Sequence, residues 1–232
     1  DFQVNLARTI VKAKLRNGAK VIQRFVYNHP ETDVSKELDL IRETIKKLDN
    51  QSTVNSLMGS EGIAGAAYFR AFGKMFLRDF QFATRTRRPP KDPVNALLSF
   101  GYTLLTNEIL ALVTAHGLDP HIGFLHGVVY GRPSLALDIV EEFRHPVVDR
   151  FVLNLINYGK LQKQDFNEKE NGILLTEQGR KTFFKYYDAL LKRKVRGENP
   201  NLVLRDILKR QVRAMASTIK NRAPYKPYKF RA

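Results

Sequence analysis

Hydrophobic positions along most of the chain recur every three to four residues, the spacing that places them on one face of an α-helix. The first such segment runs from Val4 to Tyr27, where basic residues alternate with apolar ones and no acid occurs. Pro30 follows it and breaks the pattern. The same periodicity predicts helices at about 35–48, 61–82, 95–117, 134–144, 147–158, 177–194 and 202–220.

The other segments predict loops, and only one short extended piece is expected, at 173–176. A helix end and a turn are predicted for 51–60, and the basic, proline-rich sequence RTRRPPKDP predicts a loop. Neither an internal repeat nor a βαβ alternation is present. We therefore predict an all-α fold, with a helical domain over 1–222 and a basic, flexible tail of little core-forming capacity over 223–232.

The most apolar stretch, Asn95 to Gly117, is about long enough to raise the question of a membrane span. Asn107 and Glu108 interrupt it, which favours a central buried helix and no membrane partner. The chain has no Cys, which excludes a disulfide scaffold, a thiol nucleophile and a Cys-based metal site and is compatible with the cytoplasm, the location we predict. It opens on Asp1 within a helical pattern, so we expect a fragment or a processed chain.

Charge provides the first functional indication. The 232 residues include 39 Lys and Arg against 23 Asp and Glu, a net charge of +16, while 43% hydrophobic residues place the chain in the globular range. Clustered Lys and Arg bind phosphates chiefly by releasing condensed counterions, so the excess favours a polyanionic partner, most often nucleic acid. Charge alone does not indicate a reaction.

Familiar catalytic signatures are missing. The sequence has no GxxxxGK[ST] phosphate loop, no GxGxxG, no GxSxG elbow and no HExxH. The remaining option is a carboxylate and histidine site for a hard divalent metal, which suits a basic protein that acts on phosphodiesters.

Glu61, in GSEGIAGAAYF, is the first candidate for such a site. On a helix it shares a face with Ala64, Gly65 and Tyr68, so an acid would stand beside a groove of small residues. The alternative is that Glu61 lies at a helix start, where the helix dipole favours an acid.

His126, in PHIGFLHG, and the acids of LALDIVEEFRHP are the other candidates. Asp138, Glu141 and Glu142 stand at i, i+3 and i+4 and form an acidic flank of a predicted helix. The alternatives are a hydrogen-bonded core histidine and an ordinary solvated helix face. His145, which precedes Pro146, is expected to be a dipole partner at the end of that helix.

Taken in order, four segments resemble the CRISPR-associated spacer-acquisition integrase/endonuclease, the adaptation nuclease of CRISPR systems. They are GSEGIAGAAYF, RRPPKDPVNALLSFGYTLL, LDPHIGFLHGVVYGRPSLALDIVEEFRHPVVDR and LLTEQGRKTFFKYY. The resemblance implies a helical catalytic domain that binds one Mn²⁺ or Mg²⁺ through Glu61, His126 and Glu141. It also matches Asp138 to a further acidic position that supports the site or shares the metal, so these four residues are the implied catalytic set.

The activity implied by the resemblance is metal-dependent DNA cleavage and integration. The 3′-OH ends of captured foreign DNA would be joined to the CRISPR repeat by transesterification. Asn95, Tyr102 and Arg132 match positions that line or support the site. The implied partners are double-stranded DNA, a second copy in a homodimer, a small ferredoxin-like protein and, in some relatives, an accessory nuclease that trims DNA. The family normally begins with a β-rich domain, so we expect this chain to be the catalytic domain alone.

If the chain is such an integrase, its basic segments become the DNA track: Arg8 to Arg24, Arg85 to Lys91, and the C-terminal helix and tail. The candidate phosphate contacts are Arg85, Arg87, Arg88, Lys91, Arg132, Lys209, Arg210 and Arg213. The alternative for any one segment is a basic surface that only favours solubility. Two other functions remain open, a non-catalytic helical DNA-binding scaffold module and a hydrolytic repair nuclease.

Overall fold

The computed structural model describes residues 1–170, 172–195 and 201–231. Within them the chain forms eight α-helices and one two-stranded hairpin, so the all-α prediction with a short extended piece is confirmed. The helices are α1 (Phe2–Asn28), α2 (Ser35–Lys47), α3 (Val54–Gly73), α4 (Pro93–Ala115), α5 (Ser134–Val140), α6 (Arg150–Asn157), α7 (Glu177–Leu191) and α8 (Leu204–Asn221). The antiparallel strands are β1 (Phe166–Lys169) and β2 (Gly172–Leu175).

Helix α1 packs against both α2 and α3 and forms the centre of the N-terminal half. Its buried residues follow the helical repeat: Leu6, Ala7, Ile10, Val11, Ala13, Lys14, Leu15, Asn17, Gly18, Ala19, Val21, Ile22 and Phe25. Lys14 and Asn17 are the polar members of this set, and buried polar groups require partners. The partners of Lys14 lie on α3 and directly after α5, and those of Asn17 lie after α5 and on the C-terminal tail.

Helix α3 begins and ends earlier than predicted. Residues 54–60 are helical and not a turn, because the Thr53 hydroxyl caps the helix by accepting the N–H of Ser56 at 3.1 Å. The helix ends at Gly73, where the carbonyl oxygen of Phe82 lies 2.7 Å from the position that a Cβ would take. Glu61 therefore lies inside the helix, and the alternative that placed it at a helix start is wrong.

Helix α4 is the apolar core helix that the sequence predicts. Asp92 caps it by accepting the N–H of Asn95 at 2.7 Å, and Pro93 occupies its first turn. With a mean hydropathy of 1.5 over its most apolar window, α4 is long and apolar enough to span a membrane by length and composition. It packs against α5, α6, α8 and β2, and Leu97 and Leu105 are fully buried between these elements.

The segment after α5 departs from the predicted helix over 134–144. The α-helix stops at Val140, and after a turn the chain forms a π-helical turn, Arg144–Asp149, that leads into α6. Pro146 lies within this turn and does not end a helix. A proline ring clashes with the carbonyl four residues earlier in an α-helix, and the wider π turn relieves that clash.

The C-terminal tail runs back over the helices. Tyr225 and Phe230 are buried, the Tyr225 hydroxyl donates to Glu142 at 2.6 Å, and the N–H of Phe230 donates to the Asn17 amide oxygen at 2.9 Å. The prediction that the tail has little core-forming capacity is wrong over 223–231, because Tyr225 and Phe230 are buried. Residue 232 lies outside the described residues.

Candidate active site

Two carboxylates from distant parts of the chain meet at one ammonium group. Glu61, on α3, accepts a hydrogen bond from the Lys14 ammonium through Oε1. The same ammonium forms an ion pair with Oε2 of Glu141, which directly follows α5. Glu61 and Glu141 lie 47 and 127 residues after Lys14 in the sequence, and the fold brings both to its ammonium group. The structure brings together two of the three predicted metal ligands.

Glu141 is almost completely buried, with 3% of its surface exposed, which excludes the alternative of a solvated helix face. Its other oxygen, Oε1, accepts a hydrogen bond from the Arg144 guanidinium at 2.9 Å. Burial by itself would raise the pKa of Glu141, but the charges of Lys14 and Arg144 outweigh it and hold that pKa well below the ordinary value. Glu141 is consequently ionised, as a metal ligand must be.

Asp138 holds the histidine of the predicted site. Its Oδ1 lies 2.7 Å from Nδ1 of His126 and accepts the N–H of that residue at 2.9 Å. Its Oδ2 accepts the N–H groups of Phe124 at 2.6 Å and Leu125 at 3.0 Å. With both oxygens engaged, Asp138 fixes the His126 loop and leaves Nε2 as the ring nitrogen that can bind a ligand. His126 lies near enough to Glu141 for the two groups to interact electrostatically.

The donor set suits a hard divalent metal, because carboxylate oxygens and an imidazole nitrogen are ligands of Mn²⁺ and Mg²⁺. Oε2 of Glu141 is buried, and its partner is the Lys14 ammonium. That oxygen can accept a cation. However, no group of three or more His, Asp and Glu side chains in 1–170, 172–195 and 201–231 is gathered closely enough to hold an ion. The ammonium of Lys14 takes the point where the two glutamates converge.

Arg144 is supported from behind by a buried network. Its guanidinium lies 4.2 Å from the ring centroid of Tyr102, whose hydroxyl donates to Asp149. Asp149 also lies 2.6 Å from Nδ1 of His145. His145 is thus a buried core residue and not a dipole partner at a helix end, and its burial lowers its pKa despite Asp149. Tyr102 supports the cation that keeps Glu141 ionised.

Asn95, carried over as a site-lining or structural residue, organises the basic loop before α4. Its amide oxygen accepts hydrogen bonds from the Arg85 guanidinium at 2.8 Å and the N–H of Thr86 at 2.9 Å. Arg85 also donates to the Ser99 hydroxyl at 3.0 Å. Both arginine contacts are internal, so they favour a structural role for Arg85 over the predicted phosphate contact.

The other predicted phosphate contacts differ in exposure. Arg132 is half-buried in the turn before α5. Six are exposed, three on the loop before α4 and three on α8: Arg87, Arg88, Lys91, Lys209, Arg210 and Arg213. These six can reach a phosphate without rearrangement.

The predicted DNA track along α1 divides into two parts. Arg8 donates to the carbonyls of Leu48 and Gln51, Lys12 pairs with Asp49, and Lys14 is buried, so this end of the segment serves the fold and the site. The basic residues of the α1 segment that remain exposed are Arg16, Lys20 and Arg24.

Sequence reasoning missed Lys14 and Arg144. Lys14 stands four residues after Ile10 and four before Gly18, both of which are buried, so it occupies a core position of the helical repeat. A lysine on the apolar stripe of an amphipathic helix was the available signal. Arg144 also carried a signal, because it stands three residues after Glu141, a spacing at which two side chains pair on a helix.

The chain belongs to the family described as CRISPR associated protein Cas1, whose profile matches residues 1–189. The CRISPR-associated endonuclease Cas1 of Leptospira interrogans (serogroup Icterohaemorrhagiae serovar Lai, strain 56601) is 42% identical over 202 residues, which cover 84% of this chain and 79% of the relative. The family resemblance stated from the four motifs is thereby confirmed.

Two solved structures share the fold. A casposase bound to integration product superposes with a TM-score of 0.86 and 26% identity, over 97% of this chain and 63% of that one. A Cas6-RT-Cas1–Cas2 complex superposes with a TM-score of 0.89 and 26% identity, over 100% of this chain and 26% of that one. The chain therefore spans less than two thirds of each of these longer chains.

Proposed function

We propose that this chain is the catalytic part of a metal-dependent DNA endonuclease and integrase of CRISPR adaptation, which joins 3′-OH ends of captured DNA to the CRISPR repeat. The observation that carries the proposal is the convergence of Glu61 and Glu141 on one cation. His126, whose ring Asp138 orients, lies near enough to Glu141 to interact with it electrostatically. Family membership and the likeness to a casposase bound to integration product support the same reaction class.

Glu61, Glu141 and Nε2 of His126 would hold Mn²⁺ or Mg²⁺ in this proposal. When bound, such an ion offsets charge on the phosphate oxygens and aligns the attacking hydroxyl in transesterification, or water in hydrolysis. The protein's own contribution is to keep the ligands ready. Arg144 keeps Glu141 ionised, and Asp138 keeps the Nδ1 proton of His126 toward itself so that the Nε2 lone pair is free.

Asp138 acts through His126 and not on the metal in this account. Its two oxygens already accept three backbone N–H groups in addition to the His126 ring contact, and its side chain is fully buried. We therefore place Asp138 among the positioning residues, which refines the catalytic role that the family resemblance implies.

Exposed basic side chains would bind the DNA backbone. The loop before α4 and helix α8 contribute the six exposed residues named above, and the docked tail adds the exposed Lys226 and Lys229. Each phosphate contact releases condensed counterions, so binding should weaken as salt rises. The proposed partners are double-stranded DNA, a second copy of the protein, and the small ferredoxin-like protein of adaptation, with an accessory trimming nuclease in some systems. The proposed location is the cytoplasm.

Strand transfer tests the proposal directly. A labelled DNA with free 3′-OH ends and a supercoiled target would be incubated with the protein, with Mn²⁺ or with EDTA, and with or without the small partner protein. We expect a joined product that depends on Mn²⁺ and disappears in Glu61→Gln. Glu43→Gln, an exposed glutamate on α2, is the matched control and should retain the product.

The outcome also decides between the remaining functions. Metal-dependent nicking without joining would favour a hydrolytic nuclease. DNA binding with neither reaction, in folded protein supplied with metal and partner, would favour the non-catalytic helical scaffold. A joined product that persists in Glu61→Gln would contradict the proposed site.

A further inference from the structure

Lys14 is the one lysine that is buried in the described part of the chain, and a buried ammonium group destabilises the fold unless its charge is paired. It occupies the apolar stripe of α1, with 8% of its side chain exposed. Burying an ammonium group destabilises the fold unless the charge is paired, and Glu61 and Glu141 supply that pairing. The two carboxylates would in turn repel each other without a cation between them.

The oxygens that Lys14 contacts are the ones a metal would need. The ammonium meets Oε1 of Glu61 and Oε2 of Glu141, where the two side chains converge. Arg144 differs, because it contacts the opposite oxygen of Glu141. A divalent cation could therefore bind with Arg144 in place, whereas Lys14 and the metal would carry like charges to the same two oxygens.

We propose that the Lys14 ammonium is the resident counter-ion of this site and that a divalent metal binds by displacing it from Glu61 and Glu141. The proposal rests on the metal centre in the proposed function. Lys14 holds the two carboxylates together before the metal arrives and competes with the metal for them. Its flexible four-carbon stem allows the ammonium to move away while the helix stays in place. Metal affinity is thereby set by α1, an element outside the family's matched catalytic motifs.

Replacing Lys14 by Met tests this competition, since Met keeps much of the apolar stem and removes the charge. Mn²⁺ binding would be measured by the loss of the free-ion electron paramagnetic resonance signal during a titration. The Kd of Lys14→Met should fall by about tenfold or more, because the competing charge is gone. Lys12→Met is the matched control: it removes an ion pair with Asp49 from the same helix, away from the site, and should leave the Kd unchanged.

A second measurement uses the unaltered protein, so the test does not depend on the folding of Lys14→Met. Lysines labelled with ¹³C at Cε would be observed by NMR during a titration with diamagnetic Mg²⁺, and the Lys14 signal assigned by its loss in Lys14→Arg. Displacement predicts a shift of this signal that saturates with metal binding. A Lys14 signal that stays still while the metal binds would overturn the proposal.

The experiment distinguishes failure of the displacement proposal from failure of the proposed metal centre. If the unaltered protein binds Mn²⁺ and folded Lys14→Met binds it equally or more weakly, displacement is wrong while the metal centre stands. If neither protein binds Mn²⁺, the metal centre itself is wrong, and the displacement proposal falls with it.

Discussion

Glu141 and Glu142 are neighbours in the sequence, and both are buried, but the fold surrounds them with opposite kinds of partner. Glu141 faces the cations Lys14 and Arg144, which hold its pKa well below the ordinary value although burial alone would raise it. Burial raises the pKa of Glu142 to about 7, and no cation in the described part of the chain lowers it. Identity and burial alone therefore do not define a functional acid.

The partners of Glu142 are neutral and belong to the C-terminal part of the chain. The Tyr225 hydroxyl donates to Oε1 at 2.6 Å, the N–H of Tyr228 donates to Oε2, and the Gln211 amide donates at 3.3 Å. Glu142 thus anchors the tail on α8 and the helical core, while Glu141 pairs with cations. Of these two adjacent glutamates, Glu142 has a structural role and Glu141 is a candidate metal ligand.

Glu141→Gln should have the largest effect on activity. It preserves the size of the side chain but removes the charge that Lys14 and Arg144 stabilise. Strand transfer in Mn²⁺ should fall by at least about a hundredfold, because the contribution of a bound metal is worth several kcal/mol. Product formation should be followed under single-turnover conditions. Activity within a few-fold of the unaltered protein would remove Glu141 from the proposed site.

Asp138→Asn should have a smaller effect, through His126. Asparagine has a single acceptor oxygen. Its NH2 group would therefore disrupt either the two His126 contacts at Oδ1 or the two backbone N–H contacts at Oδ2. Mn²⁺ affinity should fall by about 10- to 100-fold, the usual result of losing the group that orients a histidine ligand. If Asp138 acts only through His126, the double variant His126→Ala/Asp138→Asn should bind Mn²⁺ almost as well as His126→Ala alone. Additive losses would instead indicate that Asp138 binds the metal directly.

Glu142→Gln should change the pH dependence of stability in metal-free protein. The folded pKa of about 7 lies above the ordinary 4.5, so the folded state binds more protons between these values. The contribution of Glu142 is most favourable below pH 4.5 and is lost as pH rises through 7. As the pH rises from 4.5 to 8, the free energy of unfolding of Glu142→Gln should therefore increase by up to about 3 kcal/mol relative to that of the unaltered protein. Urea unfolding at several pH values measures this, and parallel curves would contradict it.

The smallest expected effect concerns the surface of the tail. Lys226 and Lys229 are exposed, whereas Tyr225 before them and Phe230 after them are buried. Replacing both lysines by Gln should reduce the slope of log K against log salt by about 1.8, from about 0.9 per phosphate contact, with stability unchanged. Fluorescence anisotropy with duplex DNA gives the slope. An unchanged slope would place this part of the tail away from DNA.

The sequence was informative where local periodicity decides the structure. The apolar repeat of α1 and the buried helix α4 were predicted, as were the acids and the histidine that the resemblance selects. It failed where long-range contacts decide. The tail appeared polar because Tyr225 and Phe230 alternate with lysines, and only the distant partners Glu142 and Asn17 show that it docks.

The same reason explains why Lys14 was missed. Lys14 belonged to a basic segment that the charge pattern assigned to DNA, and its contacts lie on α3 and after α5. Its contacts therefore do not follow from helical spacing, since they depend on how separate elements pack. Arg144 differs, because it stands three residues after Glu141, and that helical spacing alone could have predicted the ion pair.

The most direct test of the central claim compares the two neighbouring glutamates in one assay. Mn²⁺ binding to folded Glu141→Gln and Glu142→Gln would be measured by isothermal titration calorimetry at the same pH. We expect Glu142→Gln to retain the Mn²⁺ site of the unaltered protein and Glu141→Gln to lose it. Retention of that site in Glu141→Gln, or its loss in Glu142→Gln alone, would contradict the assignment of the ionised glutamate as the metal ligand.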